Sequence, residues 1–170
     1  MLWDLINFNK LRRAVIYALL LALVMLFQDA LLSELKILGV KSMFVPAMVV
    51  AVGLFEGGVW GGVFGLAAGF FCDMCYSENT VLFTVLFPLF GFLSGWMGAY
   101  MVNRRFFAYL VLCAAALCMT AFCQMFRLLF IVGADPAALC RTAALQVLWS
   151  LPLAVPLYFP PRSLSQKDRA

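Results

Sequence analysis

The sequence predicts an all-α integral membrane protein in which six transmembrane helices form a single domain over residues 1–170, and three observations carry that expectation. Of the 170 residues, 66% are hydrophobic and 12% charged, too little polar surface to cover a water-soluble globule of this size. The apolar stretches come in runs of about 20 residues, the length that crosses a hydrocarbon core about 30 Å thick. The basic residues fall in short groups at the ends of those runs. Despite a formal net charge of +4, that placement points to membrane orientation and away from nucleic acid.

Residues 2–8 set Trp3 and Phe8 beside Asp4 and Asn7, a mixed segment suited to the headgroup region. The first helix is expected over 14–32. It follows Lys10, Arg12 and Arg13 and ends without a small-x-small cleavage pattern, so it reads as a retained helix rather than a signal peptide. Gln28 and Asp29 fall at its far end, within reach of interfacial water. The stretch 33–42, with Glu34, Lys36, Gly39 and Lys41, reads as a compact exposed loop.

The segment 43–72 is too long for a comfortable single crossing and has Glu56-Gly57-Gly58 in its middle. A glutamate at mid-bilayer costs about 3 kcal/mol, and adjacent glycines free the backbone for a tight turn. Two short helices, 43–55 and 58–72, joined back to back by that turn, are therefore expected. Each is roughly 20 Å long, so the bilayer must thin locally or the turn must be buried between neighbouring helices.

A loop over 73–80 leads to a fourth helix over 81–102, which ends at Asn103-Arg104-Arg105, and a fifth runs over 106–131. Gly133-Ala134-Asp135-Pro136 reads as a turn and helix start. The sixth helix is expected over 137–159, kinked at Pro152 and Pro156. Pro160-Pro161 stop it, and 160–170 form a cytoplasmic tail.

Charge asymmetry separates six crossings from five. With six and a cytoplasmic N-terminus, Lys10, Arg12, Arg13, Arg104, Arg105, Arg162, Lys167 and Arg169 lie inside and Lys36, Lys41, Arg127 and Arg141 outside, eight against four. A single crossing over 43–72 swaps every later loop and gives five inside against seven outside. The positive-inside tendency favours six, with both termini cytoplasmic.

The strongest local pattern is Gly57, Gly61, Gly65 and Gly69, spaced by four, with Asp73 continuing the register. Residues four apart share a helix face, so the third helix carries a smooth strip for close backbone approach, either within the chain or to a partner. Gly91, Gly95 and Gly98, with Ser94, make a matching strip on the fourth helix. Glu56 and Asp73 bracket the third helix, either as interfacial residues at helix ends or as members of a shared polar cavity or binding surface. Arg127, three residues after Gln124, either snorkels to the interface or pairs with Asp29 or Asp73.

Catalytic and metal chemistry find little support. The chain has no histidine, its carboxylates are scattered rather than paired on one helix face, and no G-x-S-x-G nucleophile motif occurs. Cys72-Asp73-Met74-Cys75 holds one C-x-x-C with no second pair, a weak metal signal and a conceivable disulfide. Cys113, Cys118, Cys123 and Cys140 lie in apolar segments, where cysteine behaves as a small hydrophobe. No catalytic residue, metal ligand or cofactor is expected.

With those residues in view, the sequence resembles the MreD family of rod shape-determining membrane proteins. The resemblance covers most of the chain in length and hydropathy and is sharpest from Gln28 to Gly95. Its marks are Gln28, Leu38-Gly39-Val40-Lys41, Glu56-Gly57-x-x-x-Gly61-x-x-x-Gly65-x-x-x-Gly69-x-x-x-Asp73 and Phe90-Gly91-Phe92-Leu93-Ser94-Gly95. This chain has Ser42-Met43 where family members often have Pro-Asp, and Cys75-Tyr76-Ser77-Glu78-Asn79-Thr80 where they often have a glycine-containing loop.

The resemblance implies a non-catalytic role in the bacterial elongation machinery that inserts side-wall peptidoglycan, at the cytoplasmic membrane. It implies the bitopic protein MreC as partner, with RodA, a class B transpeptidase and MreB in the wider complex. It also implies a bundle similar to the S components of energy-coupling-factor vitamin transporters, and such a substrate-binding component is the competing reading. Ala14, Ala18 and Ala22 form an A-x-x-x-A strip of the type those components use to dock.

Overall fold

The computed structural model describes residues 8–32, 43–76, 82–100, 106–127, 129 and 136–162. Six helices run in the order α1 (Phe8–Leu32), α2 (Val45–Glu56), α3 (Gly58–Tyr76), α4 (Leu82–Tyr100), α5 (Phe106–Arg127) and α6 (Pro136–Leu157). Among the described residues there is no strand. The expected segment before residue 8, the loops at 33–42 and 77–81, the basic group at 103–105 and the tail from 163 lie outside the described residues.

Gly58–Cys75, Leu82–Ala99 and Phe106–Phe126 are each long and apolar enough to cross a membrane, and Pro136–Pro152 with Ala154–Arg162 makes a further such stretch, bent by 49°. Their outward faces carry large apolar side chains, among them Val59, Leu89, Trp96, Phe107 and Phe122. A contiguous apolar exterior of this kind needs a bilayer around it. The chain is an all-helical membrane protein.

Helix α2 explains how a 12-residue helix of about 18 Å belongs in such a protein. Every residue from Val45 to Phe55 is buried, and α1, α3, α4, α5 and α6 all pack on it. A helix apolar on every side is a core helix. Enclosed by its neighbours, α2 has no lipid-facing side and no need to match the bilayer.

The turn after α2 is a single residue. Gly57 has φ +101°, a region that a side chain disfavours. Its N–H donates to the Gly53 carbonyl at 2.9 Å, and its own carbonyl accepts from the Gly61 N–H at 2.9 Å. One glycine thus closes α2 and opens α3.

The helix ends differ from the expected ones in ways that have physical causes. Helix α1 begins at Phe8 rather than near residue 14, because Lys10 and Arg12 are good helix formers that need no apolar surroundings. Helix α3 is not short: it has 19 residues, about 28 Å, and carries Asp73 within its last turn. Helix α6 runs to Leu157 and turns at Tyr158, and residues 159–162 are helical again, so Pro160-Pro161 do not stop the helix. Pro161 is fully buried. Pro152 and Pro156 lie inside α6 and lack the N–H groups that would hold it straight.

Helix α4 lies antiparallel to α3 and parallel to α2, against both at backbone contact distance. A Cβ built on Gly61 would sit 2.5 Å from the Cα of Gly53 and from the Gly91 carbonyl oxygen. One on Gly65 would sit 2.8 Å from the nitrogen of Pro88, and one on Gly69 2.7 Å from the Cα of Thr84. Cβ atoms on Gly91 and Gly95 would collide with the backbones of Gly61 and Gly58. Gly62 is different, since its nearest neighbour would be the Pro88 carbonyl at 3.9 Å, an ordinary contact.

These contacts order the glycines by tolerance. Gly62→Ala is expected to change stability by no more than about 0.5 kcal/mol. Gly61→Val and Gly91→Val are expected to prevent recovery of monodisperse folded protein, because backbone rather than side chain must move. Gel filtration and thermal melting in mild detergent read both outcomes.

Candidate functional site

Several of the polar side chains that reach the interior meet backbone groups of other helices. Asp73, on α3, faces the start of α4. Its Oδ1 accepts the N–H of Phe83 at 3.1 Å, and its Oδ2 accepts the N–H of Thr84 at 2.7 Å and the Thr84 hydroxyl at 2.6 Å. The first N–H groups of a helix have no intrahelical partner, and here a carboxylate from the preceding helix supplies one. Its negative charge also suits the positive end of the α4 dipole.

Gln28 does the same for α2. Its side chain is buried rather than in interfacial water, and its Oε1 accepts the N–H of Phe44 at 3.4 Å. The adjacent N–H of Met43 donates to the Ser150 hydroxyl at 3.2 Å, and that hydroxyl donates to the Gln146 carbonyl at 2.7 Å. Tyr109 of α5 is fully buried, with its hydroxyl 2.8 Å from the Ala154 carbonyl of α6 and 3.4 Å from the Ala47 carbonyl of α2. Beside it Tyr158 packs against Phe55, Phe106 and Tyr109, and the Arg162 guanidinium lies 5.5 Å from the centre of its ring.

Glu56 has a different setting. Tyr17 of α1 donates its hydroxyl to Glu56 Oε1 at 2.8 Å, and both side chains line a groove of about 590 Å³ between α1 and α3. One wall is α1, with Ala14, Ala18, Leu21, Ala22 and Met25; the other is α3, with Trp60, Val63, Phe64, Ala67 and Phe71. Val52 and Glu56 of α2 lie between them. The Tyr17 and Gln28 bonds register α1 against α2 along its whole length. The part of α1 before Tyr17, roughly 13 Å of helix, therefore projects past the Gly57 turn.

The site residues read from the sequence thus separate into groups. Gly61, Gly65 and Gly69 on α3 meet α4, and Gly91 and Gly95 answer them from α4. Gly57 serves the turn, with nothing within 4 Å of where its Cβ would be, and its carbonyl carbon would lie 2.5 Å from a Cβ on Gly95, so its backbone touches α4 as well. Glu56 and Asp73 do not share a cavity, since they sit at opposite ends of α3, about 25 Å apart along its axis. Asp73 and Gln28 hold helix starts and neither lines the groove. Arg127 is the last residue of α5; its side chain, and that of Asp29, lie outside the described residues. Cys72 is buried and Cys75 exposed, both as free thiols.

Sequence reasoning missed Tyr17, Gly53, Thr84, Ser150 and Tyr109. Gly53 had a visible signal, since it extends the spacing of four backwards through the turn. The hydroxyl residues had none, because a lone Tyr, Ser or Thr in an apolar run looks the same whether or not a carbonyl or amide meets it.

Comparison with family models, with curated proteins and with solved structures gives no match to this chain.

Removing the cap on α4 has a defined expectation. Asp73→Ala is expected to lower stability by about 1–2 kcal/mol, and Asp73→Asn by less because its carbonyl still accepts. Thermal unfolding of the purified variants in one detergent measures both.

Proposed function

We propose that this chain is a six-crossing, non-catalytic scaffold of the bacterial cytoplasmic membrane, with both termini cytoplasmic, which serves the machinery that extends side-wall peptidoglycan. The reading rests on the likeness of Gln28, Glu56-Gly57, the glycine strip and Asp73 to MreD proteins. The observation that carries it is the use made of those residues. Gln28 and Asp73 hold the starts of α2 and α4, and the glycines bring α3 and α4 into backbone contact. Each acts on helix geometry, which is what a protein that presents surfaces to partners requires. MreC is the expected direct partner, with RodA, a class B transpeptidase and MreB beyond it.

Six crossings agree with the helix order. The projection of α1 beyond the Gly57 turn lets a short, enclosed α2 run the full course from one end of the bundle to the turn, while α1 and α3 supply the length. The groove favours a second reading, an S component of a vitamin transporter, because it gathers Tyr17, Trp60, Phe64 and Glu56 around one cavity.

Affinity purification of the tagged protein from gently solubilised native membranes, followed by mass spectrometry, separates the readings. Recovery of MreC, RodA or the transpeptidase is expected; recovery of a transporter subunit with paired ATPases overturns the scaffold. Topology is read independently with a membrane-impermeant maleimide on spheroplasts, in a background lacking the other cysteines. Cys75 is expected to react from outside, and Ser165→Cys only after permeabilisation. The opposite pattern at either position contradicts six crossings.

A further inference from the structure

We propose that the end of α6 is a hinged arm with two hydrogen-bonding registers, and that the Tyr109 hydroxyl of α5 is the latch that holds it bent. The inference rests on helix geometry and not on the partners proposed above.

The bend has its causes in the sequence. Residues Pro136–Pro152 and Ala154–Arg162 meet at 49°. Pro156 has no N–H for the Pro152 carbonyl four residues back, and its ring crowds that carbonyl; Pro152 does the same to Leu148. Ser150 adds to both, since its hydroxyl donates to the Gln146 carbonyl at 2.7 Å, a back-bond that bends helices. The helix lacks two of its own ties in this stretch, and there it bends.

Each side of the bend is fastened to another helix. Before it, the Ser150 hydroxyl accepts the N–H of Met43, just before α2, at 3.2 Å. After it, the Tyr109 hydroxyl donates to the Ala154 carbonyl at 2.8 Å, and both residues are fully buried. The helical pattern would give that carbonyl to the N–H of Tyr158, four residues on. Tyr158 donates instead to the Val155 carbonyl, three residues back, at 3.2 Å. The tyrosine hydroxyl therefore stands in for a backbone donor.

That substitution creates the second register. With the hydroxyl withdrawn, the N–H of Tyr158 can move to Ala154 and restore the regular helical bond, while Tyr109 keeps the Ala47 carbonyl of α2, 3.4 Å away. Neither donor is orphaned in either register, so the exchange avoids the cost of an unpaired group in lipid. The Tyr158 ring also lies against Phe55, Phe106 and Tyr109. Apolar rings that part within a bilayer meet lipid at little cost, so the hydrogen bond selects the register.

What the latch controls is the position of charge. Arg162 is exposed on the arm, its guanidinium 5.5 Å from the centre of the Tyr158 ring, and Lys167 and Arg169 follow it in the sequence. Phe159 stands about 9 Å of helix beyond the bend. Loss of the 49° angle would carry it roughly 7 Å.

Double electron–electron resonance on the full chain in nanodiscs, in a background lacking the native cysteines, tests the latch. Spin labels go on the exposed positions Met119 of α5 and Phe159 of the arm, with Met119 and exposed Leu148, before the bend, as the control pair. Each pair is expected to give one narrow distribution when Tyr109 is present. Tyr109→Phe keeps the ring and removes only the hydroxyl. It is expected to move or split the Met119–Phe159 distribution, by as much as roughly 7 Å, and to leave the control pair unchanged. Pro156→Ala, which returns an N–H to the Pro152 carbonyl, is expected to move it in the same direction. An unchanged Met119–Phe159 distribution in Tyr109→Phe, or a change that the control pair shares, overturns the latch; if that variant does not fold, an unchanged distribution in Pro156→Ala does so.

Discussion

Backbone contact among α2, α3 and α4 is the constraint on which the rest of the molecule depends. In lipid the hydrophobic effect does not drive one apolar helix onto another, so association rests on close van der Waals contact and hydrogen bonds. The contact of Gly53, Gly61 and Gly91 removes the side chains from three helices at one point. That proximity is what lets a single glycine at position 57 reverse the chain. A turn of one residue leaves α2 and α3 side by side from their first residues, and only helices without side chains at the seam can begin that close.

Once α2 is folded back on α3, its amino end is enclosed, and enclosure creates the next requirement. Unpaired N–H groups inside a membrane protein cost several kcal/mol each in hydrocarbon. Helix α2 begins Phe44-Val45-Pro46 with no capping side chain of its own. Gln28 from α1 and Ser150 from α6 provide the acceptors instead. The start of α4 is served by Asp73 from α3 in the same manner. These bonds tie sequence-distant helices at fixed heights, so they set register as well as satisfying donors. The groove is the residue of this arrangement: α1 is held at both ends of α2, and space remains between it and α3 beside the edge-to-face contact of Tyr17 with Phe64.

Much of this was legible in the sequence, for identifiable reasons. Helix number and type follow from apolar runs, and the break at Glu56-Gly57-Gly58 follows from the cost of a charge in lipid. The spacing of four through Gly61, Gly65 and Gly69 named the face that meets α4. What failed to show was the direction of polar side chains. Asp73 and Gln28 read as interfacial because hydropathy places a polar residue near water, and it has no means of seeing an N–H group on another helix. Helix α3 read as short because Asp73 seemed to end it, whereas a carboxylate with three hydrogen bonds stays comfortably inside a last turn. The groove was invisible because its lining is ordinary alanine and phenylalanine, distinguished only by which wall each occupies.

The claim that α2 and α3 fold back on each other, rather than forming one long crossing, is tested most directly by distance. Spin labels at Leu26 on α1 and Met74 on α3 occupy exposed positions, 69% and 71% accessible. Leu26 lies beside Gln28, which marks the amino end of α2. Double electron–electron resonance is expected to place the two labels within about 15–30 Å, the range of helices packed 8–10 Å apart with Met74 projecting past α2. A continuous helix from 44 to 74 would carry Met74 to the opposite face of the bilayer, about 45 Å away. A distance distribution centred there would contradict the account.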